Sequence, residues 1–231
     1  MPVGASALPR SGVGVIKRLT RRTIAAVLQL LLANCGGSAP SPSSASPTSA
    51  TRQQEYEACV ARERFGDAAA SPYVLPFPVG ATYSVSATCC DTRNEHYNEL
   101  AYDFVMPIGA DVVAMRAGVV EAVVDAYSDG GSDMTQSNYV AIRHEDGTVA
   151  GYGHTRQSGA VVHVGERVAQ GQLIVHSGSS GTAGFPHLHV GVFPTTVWRR
   201  TDDLAFNFRN AGGPVDQRGA LIVGATYVAL P

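Results

Sequence analysis

The sequence is poor in charge, in aromatic residues and in long apolar runs. Charged residues make up 16% of its 231 residues and aromatic residues 7%. The hydrophobic content of 45% nevertheless exceeds that of disordered chains, and the 25 glycines suit many turns between short strands. The apolar stretch at residues 24–33 is ten residues long, about half of the ~20 residues that a membrane-spanning helix needs. We therefore expect a globular, β-rich chain, and we do not expect this stretch to span a membrane.

Positive charge is scarce once the N-terminal segment is set aside. Five of the 17 Lys and Arg residues precede position 36, which leaves 12 against 19 Asp and Glu residues, a difference of −7. Nucleic-acid binding depends on basic residues that neutralise phosphates. Nucleic acid is therefore not expected among the partners of this chain.

The sequence also lacks the motifs of several enzyme classes. It contains no H-E-x-x-H motif, so a helical glutamate base of that kind is excluded. Residues 177–184 (SGSSGTAG) are rich in glycine but contain neither the Gly-Lys-Ser/Thr of a phosphate-binding loop nor the Gly-x-Ser-x-Gly of serine hydrolases. This segment is expected to be a tight loop.

The cysteines beyond residue 35 do not have the spacing of a zinc finger, because no second Cys/His pair accompanies them. In an oxidising compartment Cys59 can pair with either Cys89 or Cys90. A bond between the adjacent Cys89 and Cys90 would be strained. Buried free thiols are the alternative.

Residues 1–35 have the pattern of an export signal. Four basic residues between positions 17 and 22 precede the apolar stretch 24–33. Residues 32–35 (LANC) then resemble a bacterial lipobox, in which Cys35 would become a lipid-carrying N-terminus. Ordinary signal cleavage is the alternative, and Arg21-Arg22 also resembles a twin-arginine signal. We expect an exported protein of the cell envelope, anchored to the membrane by the lipid and facing the periplasm.

The remainder divides into a linker, a helical lead-in and one domain. Residues 36–52 are almost entirely Ser, Ala, Pro, Gly and Thr, which is typical of a linker. Residues 53–72 form the lead-in, with a short helix predicted over 53–66. Residues 73–231 form the domain, for which a monomer is expected.

Within the domain, short apolar runs alternate with turn signals such as Asp146-Gly147, which favours a hairpin. This pattern predicts an all-β fold, an antiparallel sandwich or small open barrel. Strands are predicted at 83–87, 101–106, 111–114, 118–126, 138–143, 148–152, 172–176 and 187–193.

Two histidines, His187 and His189, are separated by one residue on a predicted strand. Residues i and i+2 of a strand point to the same face. Both imidazoles therefore converge, and neutral imidazole is the commonest metal ligand. Asp103 lies within an apolar run, where a carboxylate is costly to bury unless it is paired or bound to a metal. His96, seven residues earlier, can meet it if the intervening loop folds back.

Three groups of motifs, in this order, resemble the lysostaphin/LytM-type metallopeptidases over roughly residues 73–194. The first comprises 96–109 (HYNELAYDFVMPIG), 112–114 (VVA) and 118–120 (GVV); the second 138–140 (NYV), 144–148 (HEDGT) and 152–154 (YGH); the third 165–171 (GERVAQG), 177–181 (SGSSG) and 186–189 (PHLH).

The resemblance implies a Zn²⁺ ion held by His96, Asp103 and His189. It also implies that His154 and His187 act as general acid and base without binding the metal. One departure concerns spacing, because the family places its first histidine four residues before the aspartate. Glu99 occupies that position here and is the alternative first ligand to His96.

The function that the resemblance implies is hydrolysis of peptide cross-links in bacterial peptidoglycan. The alternative is a non-catalytic relative that binds peptidoglycan or activates another hydrolase. Such relatives typically lack metal ligands, whereas this chain has candidates for all three. The other histidines, His144, His163 and His176, are expected to have structural or surface roles.

The lipobox interpretation predicts a diacyl or triacyl group on Cys35. Mass spectrometry of the membrane fraction of cells that express the whole chain would detect it. A soluble mature protein that begins after Cys35 would contradict the prediction, and a Cys35→Ser variant is the control for membrane attachment.

Overall fold

The computed structural model describes residues 49–91, 96–197 and 202–231. All of them belong to one structural unit, Ala45–Pro231. The expected export signal and most of the linker lie outside the described residues. The α-helix α1 spans Ser49–Arg62, and two 3-10 turns span Ala68–Ala70 and Met134–Gln136. Strands β1–β12 span Thr82–Ala87, Ala101–Val105, Asp111–Val113, Gly118–Val124, Tyr139–Arg143, Val149–Gly153, Thr155–Ala160, Arg167–Val168, Leu173–Ser177, Leu188–Phe193, Ala211–Gly212 and Thr226–Ala229.

The strands of the described part form two antiparallel sheets. The larger has nine strands in the order β11-β12-β1-β2-β10-β6-β5-β4-β8, and the smaller has the order β3-β9-β7. Each strand pair is antiparallel. The predicted all-β, antiparallel fold with one short N-terminal helix is thus confirmed.

All eight predicted strands are present, and their bounds differ by at most two residues from those expected. The hairpin between β5 and β6 turns at Gly147, whose φ of 86° suits glycine. Four strands were not predicted. β7 (TRQSGA) is polar and without alternation, and β8 and β11 have two residues each. Helix α1 begins at Ser49, inside the expected linker, and ends at Arg62 rather than at residue 66.

The core lies on one face of the central strands β2 and β10, so the side chains on their other face point away from it. Tyr102 and Phe104 of β2 are fully buried and pack against further aromatic rings such as Phe206. Leu188 and Val190 of β10 are also fully buried. Because side chains of a strand alternate, the residues between these positions point away from the core. Asp103 and His189 are two such residues.

A disulfide between Cys59 and Cys90 joins helix α1 to the segment that follows β1. Of the two pairings that the sequence left open, the structure has this one. Cys89 is a buried thiol whose pKa is raised by burial. None of the described helices is long and apolar enough to cross a membrane.

The disulfide predicts a measurable contribution to stability. It closes a loop with a sequence separation of 31 residues, and loops of this size stabilise a fold by about 2–4 kcal/mol, chiefly by restricting the unfolded chain. Replacing Cys59 by Ser should lower the free energy of unfolding in urea by this amount. Non-reducing peptide mapping should link Cys59 to Cys90, and a peptide that links Cys59 to Cys89 would contradict the structure.

Candidate metal and catalytic site

A cleft of about 630 Å³ lies on the face of the nine-stranded sheet opposite the core, and it contains the five residues predicted to form the site. Its floor holds His96, Asp103, His154, His187 and His189 together with Glu99. Its walls include Met134, Thr135, Ser137, Tyr139, Ala183 and Phe185.

The register of the sheet explains why residues distant in sequence meet here. His189 of β10 is directly opposite Asp103 of β2 on one side and Gly153 of β6 on the other. Gly153 is in turn opposite Tyr139 of β5. These four residues form a row across four strands. Because Gly153 has no side chain, the row leaves open space beside the His189 ring.

Asp103 lies between two imidazoles. Its Oδ1 is 2.9 Å from Nδ1 of His189, and its Oδ2 is 3.3 Å from Nε2 of His96. The other ring nitrogen of His189, Nε2, lies 3.5 Å from Oε1 of Glu99. His96, Glu99 and His189 each present one ligand atom within 4.8 Å of the others. Together with Asp103, which contacts both imidazoles, the cluster contains two carboxylates and two imidazoles.

A turn brings both His96 and Glu99 to the cluster. The backbone N–H of Glu99 donates to the carbonyl of His96, and the carbonyl of Glu99 accepts from the N–H of Cys90. Both side chains are buried. The sequence posed them as alternatives, whereas the structure places both at the site. The seven-residue spacing between His96 and Asp103 is accommodated by this turn.

The electrostatics of the cluster are those of tightly coupled opposite charges. Burial favours the neutral form of Asp103, but His96 and His189 outweigh it and hold the pKa of this carboxyl well below its usual range. Burial likewise lowers the pKa of His189, yet Glu99 and Asp103 raise it to about 10. Nitrogen and carboxylate donors of this kind are the ligands that zinc takes in proteins. The residues present therefore fit a zinc ion.

His154 and His187 are held in matching tautomers on the other side of the cleft. Nδ1 of His154 lies 2.8 Å from the carbonyl oxygen of Ser180, and Nδ1 of His187 lies 2.9 Å from that of Phe185. A carbonyl only accepts, so each Nδ1 carries the hydrogen and each Nε2 keeps its lone pair. The two rings are 4.6 Å apart between centroids. Burial, with the nearby His189 and His187, lowers the pKa of His154 to about 4, so its ring is neutral near pH 7.

The backbone of His154 has a φ of 56°, in the left-handed region. This conformation costs a non-glycine residue about 1–2 kcal/mol. It directly follows the last residue of β6, Gly153, and turns the chain out of the strand. The strained backbone conformation of His154 therefore sets the direction in which its imidazole leaves the chain. No sequence pattern indicated it.

The groups that orient the two histidines were also missed, because backbone carbonyls leave no mark in a sequence. Ser180 is held in place by Asn138, whose backbone N–H donates to the Ser180 hydroxyl. The buried Asn138 amide also exchanges hydrogen bonds with the backbone of Tyr127. Asn138 thus ties the loop after β4 to the glycine-rich loop. In the sequence, the position of Asn138 in the NYV motif was the only indication of this role.

The remaining histidines lie outside the cleft. Nδ1 of His144 donates to the carbonyl of Ala117, 2.9 Å away, and its ring packs edge-on against Tyr73. His163 and His176 face single carboxylates, at 3.0 and 3.2 Å.

The model of the family described as Peptidase family M23 matches residues 97–201. Among curated relatives, the chain is 38% identical over 87 residues to the peptidoglycan DD-endopeptidase ShyC of Vibrio cholerae, a match that covers 38% of this chain and 18% of that protein. It is 37% identical over 87 residues to an uncharacterized metalloprotease of Haemophilus influenzae, covering 38% and 17%. The chain thus spans less than a fifth of the length of these two relatives.

Similar solved structures include the catalytic domain of lysostaphin from Staphylococcus simulans, with 25% identity, a TM-score of 0.40 and coverage of 58% of this chain and 84% of that one. A zinc-containing peptidase from Vibrio cholerae has 24% identity, a TM-score of 0.42 and coverage of 58% and 39%. The family match includes Asp103, His154, His187 and His189, and it begins one residue after His96. The resemblance seen in the sequence is thus confirmed, and the chain carries a Peptidase family M23 domain.

Proposed function

We propose that this chain is an exported zinc endopeptidase that hydrolyses peptide cross-links of bacterial peptidoglycan. One observation carries the proposal: a single cleft combines a buried cluster of metal-binding side chains with two histidines whose Nδ1 atoms are held by carbonyls. The relative named a peptidoglycan DD-endopeptidase supports the substrate class.

His96, Asp103 and His189 would hold the zinc ion. When bound, zinc acts as a Lewis acid that lowers the pKa of a coordinated water toward ~7 and polarises a carbonyl. Glu99 faces the second ring nitrogen of His189. A carboxylate in that position fixes the orientation and tautomer of a metal-binding imidazole. We therefore assign Glu99 the role of orienting His189.

His154 and His187 would move the protons of the hydrolysis. Each can accept a proton at Nε2, because its Nδ1 hydrogen is bound to a carbonyl. The protonated ring can then donate to the leaving amine of the cleaved peptide bond. Nε2 of His187 lies 3.6 Å from Oδ2 of Asp103, so the proton-accepting nitrogen is close to the proposed metal ligands.

The disulfide between Cys59 and Cys90 supports export, because such bonds persist in oxidising compartments. Together with the lipobox at Cys35, it suits a periplasm-facing lipoprotein of the cell envelope. Digestion of purified peptidoglycan, with the new termini identified by mass spectrometry, tests the substrate directly. Intact muropeptides after digestion with the zinc-loaded chain would favour the non-catalytic alternative.

The ligand assignment predicts about one zinc per chain, since three protein ligands with one open position are typical of catalytic zinc. His189→Ala should lose both zinc and activity in metal analysis and a muropeptide assay, because His189 contacts both carboxylates. His96→Ala should also lose zinc. Glu99→Ala should keep most of it, with an affinity about 10–100-fold lower. If His96→Ala keeps stoichiometric zinc while Glu99→Ala loses it, Glu99 is the ligand instead.

The proton-transfer assignment predicts a separation of activity from metal binding. His154→Ala and His187→Ala should keep their zinc content, because neither is a proposed ligand. Their turnover should fall by the ~10²–10⁴-fold that general acid–base help provides. The losses should not add in the double variant, because the two residues act as a unit.

His144→Ala is the control for that comparison. His144 is buried outside the cleft and bonded to Ala117, so its removal should change turnover little beyond a loss of stability. An inactive His144→Ala together with a fully active His154→Ala would overturn the assignment of the proton-transfer residue.

A further inference from the structure

The turn that carries His96 and Glu99 is held by residues that mostly lie outside the family match. The match begins at residue 97, whereas helix α1 ends at Arg62. Asp203 lies beyond the last matched residue, 201. These two residues meet at the turn, and neither lines the cleft.

An ion pair between Arg62 and Asp203 connects to the backbone on both sides of Glu99. Nη2 of Arg62 lies 2.7 Å from Oδ1 of Asp203 and also donates to the carbonyl of Asn98, 3.2 Å away. Oδ2 of Asp203 accepts from the N–H of Leu100, at 2.6 Å. The Asp203 side chain is 1% exposed and that of Arg62 is 27% exposed. Such a pair is costly to break, because removing one partner leaves the other charge buried without compensation.

The disulfide connects α1 to a residue that is hydrogen-bonded to the same turn. Cys90, bonded to Cys59 of α1, donates its N–H to the Glu99 carbonyl at 3.0 Å. The amide of Asn98 also reaches Glu55 of α1, at 3.4 Å. Helix α1 therefore contacts the turn through two side-chain hydrogen bonds, which join Arg62 and Glu55 to Asn98. It is also covalently bonded to Cys90, whose N–H donates to the carbonyl of Glu99. The glutamate at the centre of these contacts is the one that faces His189.

We propose that α1 is a brace for the metal site, in which Arg62 and Asp203 are positioning residues that hold the turn of His96 and Glu99 in its metal-binding conformation. Neither residue lines the cleft. Their effect on the metal passes through the backbone of Asn98, Glu99 and Leu100. This inference rests on the proposed zinc site, and it concerns zinc affinity rather than proton transfer.

The brace predicts that loss of the Arg62 guanidinium weakens zinc binding. Replacing a residue that orients a metal ligand typically lowers the metal affinity about 10–100-fold. Arg62→Met in the full chain should raise the Kd for zinc by about this factor, measured by competition with a chelator. Arg62→Lys should recover part of the loss, because it restores the positive charge beside Asp203. The absorption spectrum of the cobalt-substituted Arg62→Met protein should change in intensity, as expected for altered ligand geometry.

Arg116→Met is the matched control, because it removes an ion pair of similar length, 2.6 Å, with Asp146, outside the cleft. Its zinc Kd should stay within about twofold of wild type. A zinc Kd unchanged in Arg62→Met, or raised equally in Arg116→Met, would overturn the brace. If Arg62→Met does not fold, the zinc Kd of Asp203→Asn replaces it as the test and should rise in the same way. This variant removes the charge beside Arg62 but keeps an acceptor for the N–H of Leu100. A wild-type chain without zinc affinity would instead overturn the proposed function, and the brace with it.

Discussion

The site depends on the two-residue alternation of β2 and β10. Tyr102 and Phe104 on one strand and Leu188 on the other are fully buried, and each such side chain contributes roughly 1.5–3 kcal/mol through burial. A slip of one residue in either strand would expose them and turn Asp103 or His189 into the core. The packing that stabilises the sheet therefore also directs Asp103 and His189 into the cleft.

Bringing two carboxylates into a buried cluster requires compensating positive charge. In the structure, imidazole supplies it, because Glu99 and Asp103 raise the pKa of His189 to about 10 against the effect of burial. A divalent cation supplies the same charge in a compact form and takes imidazole in its neutral state, so that binding releases protons. The cost of gathering these groups explains why their backbone needs firm support. At the turn of His96 and Glu99, that support comes from helix α1 through Arg62 and Cys59.

Periodicity predicted the parts of the site that lie on strands. The same-face rule placed His187 and His189 in one cleft, and the carboxylate in an apolar run identified Asp103. The parts of the site that depend on loop geometry could not be predicted from the sequence. Whether His96 or Glu99 faces the site depends on one turn, which admits both. The left-handed backbone of His154 has no counterpart in the sequence pattern. Cysteine pairing likewise depends on three-dimensional proximity rather than on spacing.

The cleft gives the same side chain two opposite electrostatic environments. His189 lies between carboxylates and has its pKa raised, whereas His154, whose ring centroid is 5.9 Å from that of His189, has its pKa lowered to about 4 by burial and by neighbouring imidazoles. Groups whose pKa values are pushed apart in one site can take different chemical roles. The carbonyl of Ser180 holds His154 at Nδ1, and a neutral acceptor leaves the ring uncharged while it fixes the tautomer. Carboxylate partners therefore suit the metal-binding role proposed for His189, and a carbonyl partner suits the proton-exchanging role proposed for His154.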